Sequence, residues 1–212
     1  MADFTLHIGT RIWSSWSMRP FMALVAAGAD FETVLTPLRS PTTKAALSAI
    51  SPSGLVPVLI DHRGAEAVTV WDSLAICEFL AESYPLLWPR DKAARAVARS
   101  VSSEMHASFR PMRMAMPMDL FADRAGEGLD VEGVAADIRR IDAIFSDCRE
   151  RFGAGGPYLF GAFSIADAMF APVASRFRTY GPSLSATAAA YVASLVADPG
   201  FKAWEAAALK ET

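Results

Sequence analysis

The stretch SSWSMRPFMAL, residues 14–24, follows the short apolar run FTLHIG of residues 4–9 and decides how the N-terminal part of the chain is interpreted. The apolar run predicts a strand, and the apolar spacing after the serines predicts a helix over residues 15–27 that ends at Gly28. Hydroxyl groups at this helix start have two interpretations. They cap the helix by accepting free backbone N–H groups, or one of them donates to a bound anion. A turn that follows the carboxyl end of a strand is a usual ligand position in α/β sheets.

The residues that follow continue to alternate between strand and helix signals. The segments FETVLTP, VPVLI and AVTVW predict three further strands, and the charged turn DHRGAE predicts a hairpin between the last two. Helices are predicted over residues 41–49 and 72–83. The order β-α-β-α-β-β-α predicts an α+β domain, a small mixed sheet with helices packed on it.

The second part of the chain carries helix signals only. The prolines of YPLLWPRD place a linker at residues 85–91, between a domain of residues 1–84 and an all-helical domain of residues 92–212. Alanine-rich composition favours helix in this second domain. Its predicted helices cover residues 92–120, 130–152, 164–180, 184–196 and 198–209.

Composition narrows the class of protein. The chain has 212 residues, of which 52% are hydrophobic, and a formal net charge of −3, which is typical of a globular protein. With no basic run longer than two residues, no basic leader and no apolar stretch near ~20 residues, we expect no nucleic-acid partner, no signal peptide and no membrane span. The cysteines Cys77 and Cys148 lack metal-ligand spacing, so we expect no metal and a reducing, cytoplasmic location.

Pro57 at the start of an apolar strand also has two interpretations. It is an ordinary edge-strand proline, or the Val56–Pro57 bond is cis and turns the backbone groups of Val56 outward to pair with a peptide ligand.

Asp72 and Ser73 stand at a predicted helix start, where both residue types cap well. In the alternative interpretation, Ser73 and the first-turn N–H groups hold a carboxylate while Asp72 receives an ammonium group. A carboxylate and an ammonium group on one carbon form the α-group of an amino acid.

Taken together, the motifs SSWSMRPFMAL, LVPVLI and WDSLAI resemble the glutathione transferase family in order and spacing, over nearly the whole chain. The resemblance implies a thioredoxin-like domain followed by an all-helical domain, and a homodimer. The serine motif is most similar to the zeta class, which includes glutathione-dependent maleylacetoacetate isomerases. The implied function is therefore a transferase whose glutathione thiolate attacks a small apolar electrophile. A cis–trans isomerase and a non-catalytic glutathione-binding module are the alternatives.

The resemblance also implies residue roles. The catalytic hydroxyl of the family stands five residues before the arginine, which gives Ser14, counted from Arg19. Asp72 is one methylene shorter than the glutamate usual in the family. The implied glutathione-binding residues are Ser15, Val56, Pro57, Asp72 and Ser73.

A second-substrate pocket is expected along the predicted helix of residues 92–120. Two rows at helical spacing are the candidates: an apolar row, which core packing also explains, and a polar row, which is either a solvated face or an anion site at the pocket mouth. Trp16 stands where the zeta class has a small residue or cysteine, so its ring is expected to reshape this pocket. The apolar row is Met105, Phe109 and Met112, and the polar row is His106, Arg110 and Arg113.

The segment FSIADAMFAPV resembles the capping motif of the family's helical domain. Ser164 is predicted at the N-cap and Asp167 three residues later, a structural pair with no part in catalysis.

Overall fold

The N-terminal part of the protein forms one four-stranded sheet in this computed structural model, which describes residues 2–211. The strand order is β2-β1-β3-β4, with β1 and β2 parallel and β3 antiparallel to both of its neighbours. The predicted mixed sheet and its hairpin are thereby confirmed. The strands are β1 (Phe4–Gly9), β2 (Phe31–Thr36), β3 (Val58–Asp61) and β4 (Val68–Trp71).

Three helices pack beside this sheet: α1 (Ser15–Ala27), α2 (Thr43–Ile50) and α3 (Ser73–Ser83). Gly28 ends α1 in the left-handed conformation at φ 63°, which glycine adopts without steric cost. Most of α1 is buried, because it lies between the sheet, α3 and the second domain. In contrast, α2 buries only Leu47.

The helices predicted for the rest of the described chain are present, and only two isolated β-bridges, Tyr158–Gly161 and Phe160–Ala162, accompany them. The central helix α7 is buried along nearly its whole length and packs against α1, α4 and α8. One continuous apolar core joins β1 of the first domain to Trp204 near the chain end. The helices are α4 (Lys92–Ala107), α5 (Arg110–Ala115), α6 (Val134–Phe152), α7 (Ile165–Tyr180), α8 (Ala186–Val196) and α9 (Pro199–Ala208). Short 3₁₀ turns occur at Pro85–Leu87, Gly153–Gly155 and Leu209–Glu211.

The prediction of one helix over residues 92–120 is wrong. The chain leaves the helix after Ala107, and Phe109 takes a left-handed conformation at φ 64°. Pro111 then occupies the first turn of α5, where its missing N–H leaves no hydrogen bond unmade. The two predicted rows of side chains cross this break, so neither forms one continuous helical face.

The predicted capping pair of α7 is present. Asp167 accepts hydrogen bonds from the Ser164 backbone N–H at 2.8 Å and from the Ser164 hydroxyl at 2.9 Å. The Leu159 N–H and the Tyr191 hydroxyl donate to its other oxygen, each at 3.0 Å. Asp167 is fully buried, and burial raises the pKa of its carboxyl group to about 6, against the effect of these donors.

Residues 10–14, named here the β1–α1 turn, are held by the second domain. The Trp204 indole donates to the Arg11 carbonyl at 3.1 Å, and the Arg11 N–H donates to the Glu211 carboxylate at 2.8 Å. The Leu120 N–H donates to the Ile12 carbonyl at 3.2 Å. The segment that presents Ser14 is therefore fixed by contacts distant in sequence.

No helix within the described residues combines the length and apolar character needed to cross a bilayer.

Candidate functional site

A cavity of about 280 Å³ gathers the second and third sequence motifs at the start of α1. The Val56–Pro57 peptide bond is cis, as the second interpretation of Pro57 expected. Ser53, Leu55 and Trp71 also line the cavity, and sequence analysis missed them although each lies within four residues of Pro57 or next to Asp72. The lining residues are Trp16, Ser53, Leu55, Val56, Pro57, Trp71, Asp72 and Ser73. Three larger cavities, of about 360, 430 and 610 Å³, contain none of the residues of the three motifs.

The three serines of the opening motif have different partners. Ser14 occupies the N-cap position of α1, but its side chain does not cap the helix. Instead its hydroxyl donates to Ser17 Oγ at 2.7 Å, and Ser17 Oγ also accepts from the Gly9 N–H at 3.1 Å. Ser15 Oγ accepts from Arg176 at 3.4 Å. Ser14 and Ser15 are buried and do not line the cavity, which Trp16 reaches from the same helix start.

Asp72 uses its two carboxylate oxygens differently. Oδ1 accepts from the N–H groups of Leu74 at 2.9 Å and Ala75 at 3.1 Å, so Asp72 does cap α3. Oδ2 lies 3.3 Å from His106 Nε2 of the second domain. The backbone of Asp72 is left-handed, with φ 75°, a conformation in which aspartate is enriched. The cap therefore leaves one oxygen directed away from the helix.

Ser73 is buried at the same helix start, and its Oγ accepts from Arg19 Nη1 at 3.3 Å. Sequence analysis used Arg19 only to count back to Ser14 and did not place its side chain under the cavity. The one available signal was an arginine in the middle of an apolar helix segment.

The ring of Trp16 connects the two domains. Its centroid lies 4.2 Å from the Arg19 guanidinium carbon and 4.9 Å from that of Arg113, within the range of cation–π attraction. The His106 ring meets it edge-on at 5.3 Å. Burial lowers the pKa of His106, and the Asp72 carboxylate opposes that shift.

The residues predicted for the second-substrate pocket separate into two groups. Met105, Phe109 and Met112 are buried in the core, as the core-packing interpretation expected. His106 and Arg113 contact Trp16, whereas Arg110 is exposed. Apart from Trp16, none of the residues predicted for this pocket lines the cavity of about 280 Å³, and a role in binding a second substrate stays a prediction.

Cys77 and Cys148 are buried free thiols, and burial raises the pKa of each to about 12. Since the thiolate is the reactive form, neither cysteine is suited to nucleophilic chemistry near neutral pH.

A mixed four-stranded sheet with a cis-proline opposite the start of α3, followed by a helical domain, is the two-domain architecture of the glutathione transferases, with a thioredoxin-like first domain. The chain belongs to the glutathione S-transferase family. The family's N-terminal domain model matches residues 13–83, and its C-terminal domain model matches residues 131–207.

Solved structures agree with this assignment. A glutathione transferase homologue from Burkholderia GL BGR1, solved with bound glutathione, is 25% identical over 98% of this chain and 99% of that chain, with a TM-score of 0.72. Glutathione transferase Omega 2S from Trametes versicolor is 20% identical over 100% of this chain and 96% of that chain, with a TM-score of 0.70. The theta class glutathione S-transferase from Xanthomonas axonopodis pv. citri, with glutathione bound, is 21% identical over 96% of this chain and 97% of that chain, with a TM-score of 0.67. No curated protein sequence gives a significant match.

Proposed function

We propose that this protein is a glutathione transferase in which the Ser14 hydroxyl stabilises the thiolate of bound glutathione. The observation that carries the proposal is the cavity itself, where a cis Val56–Pro57 bond faces the capped start of α3 beside Trp16. The homologue from Burkholderia GL BGR1 holds glutathione, which supports glutathione as the co-substrate here.

In this proposal the γ-glutamyl α-group of glutathione binds at the start of α3. Its carboxylate accepts from the Ser73 hydroxyl at the positive end of α3, because the N–H groups of Leu74 and Ala75 already donate to Asp72 Oδ1. Its ammonium group meets Asp72 Oδ2. The backbone of Val56, exposed by the cis bond, pairs with the cysteinyl residue. The cysteinyl sulfur then lies toward the start of α1.

One serine hydroxyl at a helix N-terminus can supply the free energy needed to stabilise the thiolate. A free thiol has a pKa near ~8.5, and lowering it by ~2 units needs ~2.7 kcal/mol of preference for the thiolate. A hydrogen bond to a charged acceptor supplies ~1.5–3 kcal/mol, and the N-terminus of α1 adds ~0.3–1 kcal/mol. The Ser14 hydroxyl must rotate from Ser17 to the sulfur, and Ser17 Oγ still accepts from the Gly9 N–H.

The chemistry that follows is attack of the thiolate on an apolar electrophile, with formation of a C–S bond and loss of a leaving group or saturation of a double bond. The homodimer implied by the family resemblance and the cytoplasmic location expected from the cysteines are part of this proposal.

The first test is Ser14→Ala. We expect the pKa of bound glutathione to rise by ~1–2 units, because one charged hydrogen bond is lost. Turnover falls near neutral pH and partly recovers at alkaline pH, while glutathione affinity changes little. The measurement is a thiolate absorbance titration of the complex. Ser17→Ala is the matched control and leaves the thiol pKa unchanged. A shift in Ser17→Ala without one in Ser14→Ala would identify Ser17 as the thiolate donor.

A second assay separates conjugation from isomerisation. The protein is incubated with reduced glutathione and with a panel of aryl halides, enones and cis-configured enones. Loss of thiol together with product indicates conjugation, and product without loss of thiol indicates isomerisation. Binding of glutathione without turnover on any member of the panel would contradict a transferase.

A further inference from the structure

Glu211 reaches from the 3₁₀ turn Leu209–Glu211 to the β1–α1 turn, 200 positions earlier in the chain. One carboxylate oxygen accepts from the Arg11 N–H at 2.8 Å, and the other accepts from the Arg11 guanidinium group. Within residues 2–211 this is the only ion pair in which both side chains are exposed by 10% or less. Glu211 therefore binds both the backbone and the side chain of one turn residue, in surroundings with little water.

Arg11 has further partners. Its carbonyl accepts from the Trp204 indole at 3.1 Å, and its guanidinium group also donates to Thr33 Oγ1 in β2 at 2.7 Å. The guanidinium carbon lies 5.4 Å from the centre of the Trp204 ring. The N–H, the carbonyl and the side chain of this single residue are thus all bound by elements distant in sequence.

The backbone connects Arg11 to Ser14 within the same turn. The Ser14 N–H donates to the Thr10 carbonyl at 2.9 Å, and the Ser14 carbonyl accepts from the Met18 N–H at 3.2 Å. The β1–α1 turn and the start of α1 are therefore one hydrogen-bonded unit. Since Arg11 lies inside this unit, a displacement of Arg11 moves Ser14 as well.

The Arg11–Glu211 pair affects the position of the turn more than the stability of the fold. A buried ion pair adds little net stability, because the cost of removing two charges from water offsets much of their attraction. It does define one position for the groups that it joins. Position is what the proposed function requires of Ser14, because displacement of a catalytic group by about 1 Å can reduce the rate about 100-fold.

We propose that Glu211 is a positioning residue for the Ser14 hydroxyl: it fixes Arg11, and the β1–α1 turn then holds Ser14 where it stabilises the glutathione thiolate. This inference rests on the proposed function, since it assumes that Ser14 is the thiolate donor. Glu211 is not among the residues that line the cavity of about 280 Å³. Its loss is therefore expected to raise the thiol pKa and to lower turnover, while glutathione affinity stays nearly constant.

The first test compares Glu211→Ala with Asp61→Ala. Asp61 also accepts from the backbone N–H and the guanidinium group of one arginine, Arg63, but it pairs with Phe4, at the opposite end of β1 from the turn. We expect Glu211→Ala to raise the pKa of bound glutathione by ~0.5–1 unit, which lowers turnover near neutral pH by about three- to tenfold. Asp61→Ala should leave the thiol pKa unchanged. Neither variant should change glutathione affinity.

A purely structural Glu211 gives a different result. Both variants would then lower the melting temperature and neither would shift the thiol pKa, which overturns the inference. If Glu211→Ala does not fold, Trp204→Phe takes its place in the comparison. It removes the donor to the Arg11 carbonyl, keeps an aromatic ring in the core, and should also raise the thiol pKa.

The second test determines whether Glu211 acts through Ser14. In a Ser14→Ala background, Glu211→Ala should shift the thiol pKa no further, because the hydroxyl group that it positions is absent. Equal shifts in both backgrounds would show that Glu211 acts by another route, which overturns this inference and leaves the proposed function intact. An unchanged thiol pKa in Ser14→Ala alone overturns the proposed function, and this inference with it.

Discussion

At the scale of single residues, Asp72 combines two tasks that are usually separate. One oxygen caps α3, and the other points toward His106 and, in our proposal, toward the ammonium group of glutathione. The left-handed backbone restricts the position to residues that tolerate positive φ, among which asparagine also caps helices. The helix-capping role and the negative charge of Asp72 can therefore be tested separately with the single substitution Asp72→Asn.

We predict that Asp72→Asn leaves folding stability nearly unchanged and weakens glutathione binding by about tenfold, a modest effect because the carboxylate is partly exposed. Thermal unfolding and titration calorimetry measure the two quantities. Asp91→Asn, which changes the cap of α4 away from the cavity, is the control and should alter neither. Equal affinities of Asp72→Asn and the wild type would contradict an ammonium contact at Asp72.

The family resemblance, carried by short motifs at element boundaries, was enough to place Pro57, Asp72 and Ser73 together, whereas the local sequence of each motif left its role open. The state of Arg19 was not readable in this way. Its burial depends on Trp16, on the second domain and on Ser73, which lies 54 positions further along the chain. The hydrogen bond from Ser14 to Ser17 was equally hidden, since the serine pattern alone fits capping as well.

At the scale of elements, the start of α7 depends on Asp167. Four donors from residues outside the helix converge on its carboxylate: the Ser164 N–H, the Ser164 hydroxyl, the Leu159 N–H and the Tyr191 hydroxyl. Since α7 packs against α1 of the first domain and against α4 and α8 of the second, loss of its first turn is expected to destabilise both domains.

We predict that Asp167→Ala lowers the free energy of unfolding by about 3 kcal/mol or more, because a cap is lost and buried donors are left without an acceptor. The measurement is denaturant unfolding at pH 8, where the carboxyl group is ionised, since its pKa is raised to about 6. Asp91→Ala, an exposed cap, is the control and should lose about 1 kcal/mol. Turnover per folded molecule should remain normal. A stable variant with collapsed turnover would mean that Asp167 takes part in catalysis.

The sequence predicted the presence of helices throughout the second domain, but it did not predict the break between α4 and α5. The apolar spacing of Met105, Phe109 and Met112 continues through the break, and Pro111 is compatible with a helix start as well as a kink. The left-handed backbone of Phe109, which separates the two helices, leaves no mark in the sequence.

At the scale of the whole molecule, the two domains share one core and several hydrogen bonds to the β1–α1 turn. Helix α1 is buried between the sheet and α7 and therefore belongs to both domains. The first domain alone would expose the face of α1 that α7 and α9 cover.

We predict that the protein unfolds in a single cooperative transition. Circular dichroism and scanning calorimetry should give coincident midpoints, with the calorimetric enthalpy equal to the van't Hoff enthalpy. Two resolved transitions would show that the domains are energetically independent, in spite of the shared core.

The small buried surface of α2 affects the rate at which ligands bind and dissociate. On one side of the site, hydrogen bonds from the second domain hold the β1–α1 turn in place. On the other side, Ser53 and Leu55 line the cavity just after α2, a helix that buries a single side chain, Leu47. Segments with so little buried surface open at low free-energy cost, while the rest of the fold stays closed. We expect the residence time of a bulky conjugate to be set by the opening rate of α2, an element that supplies none of the proposed catalytic or glutathione-binding residues.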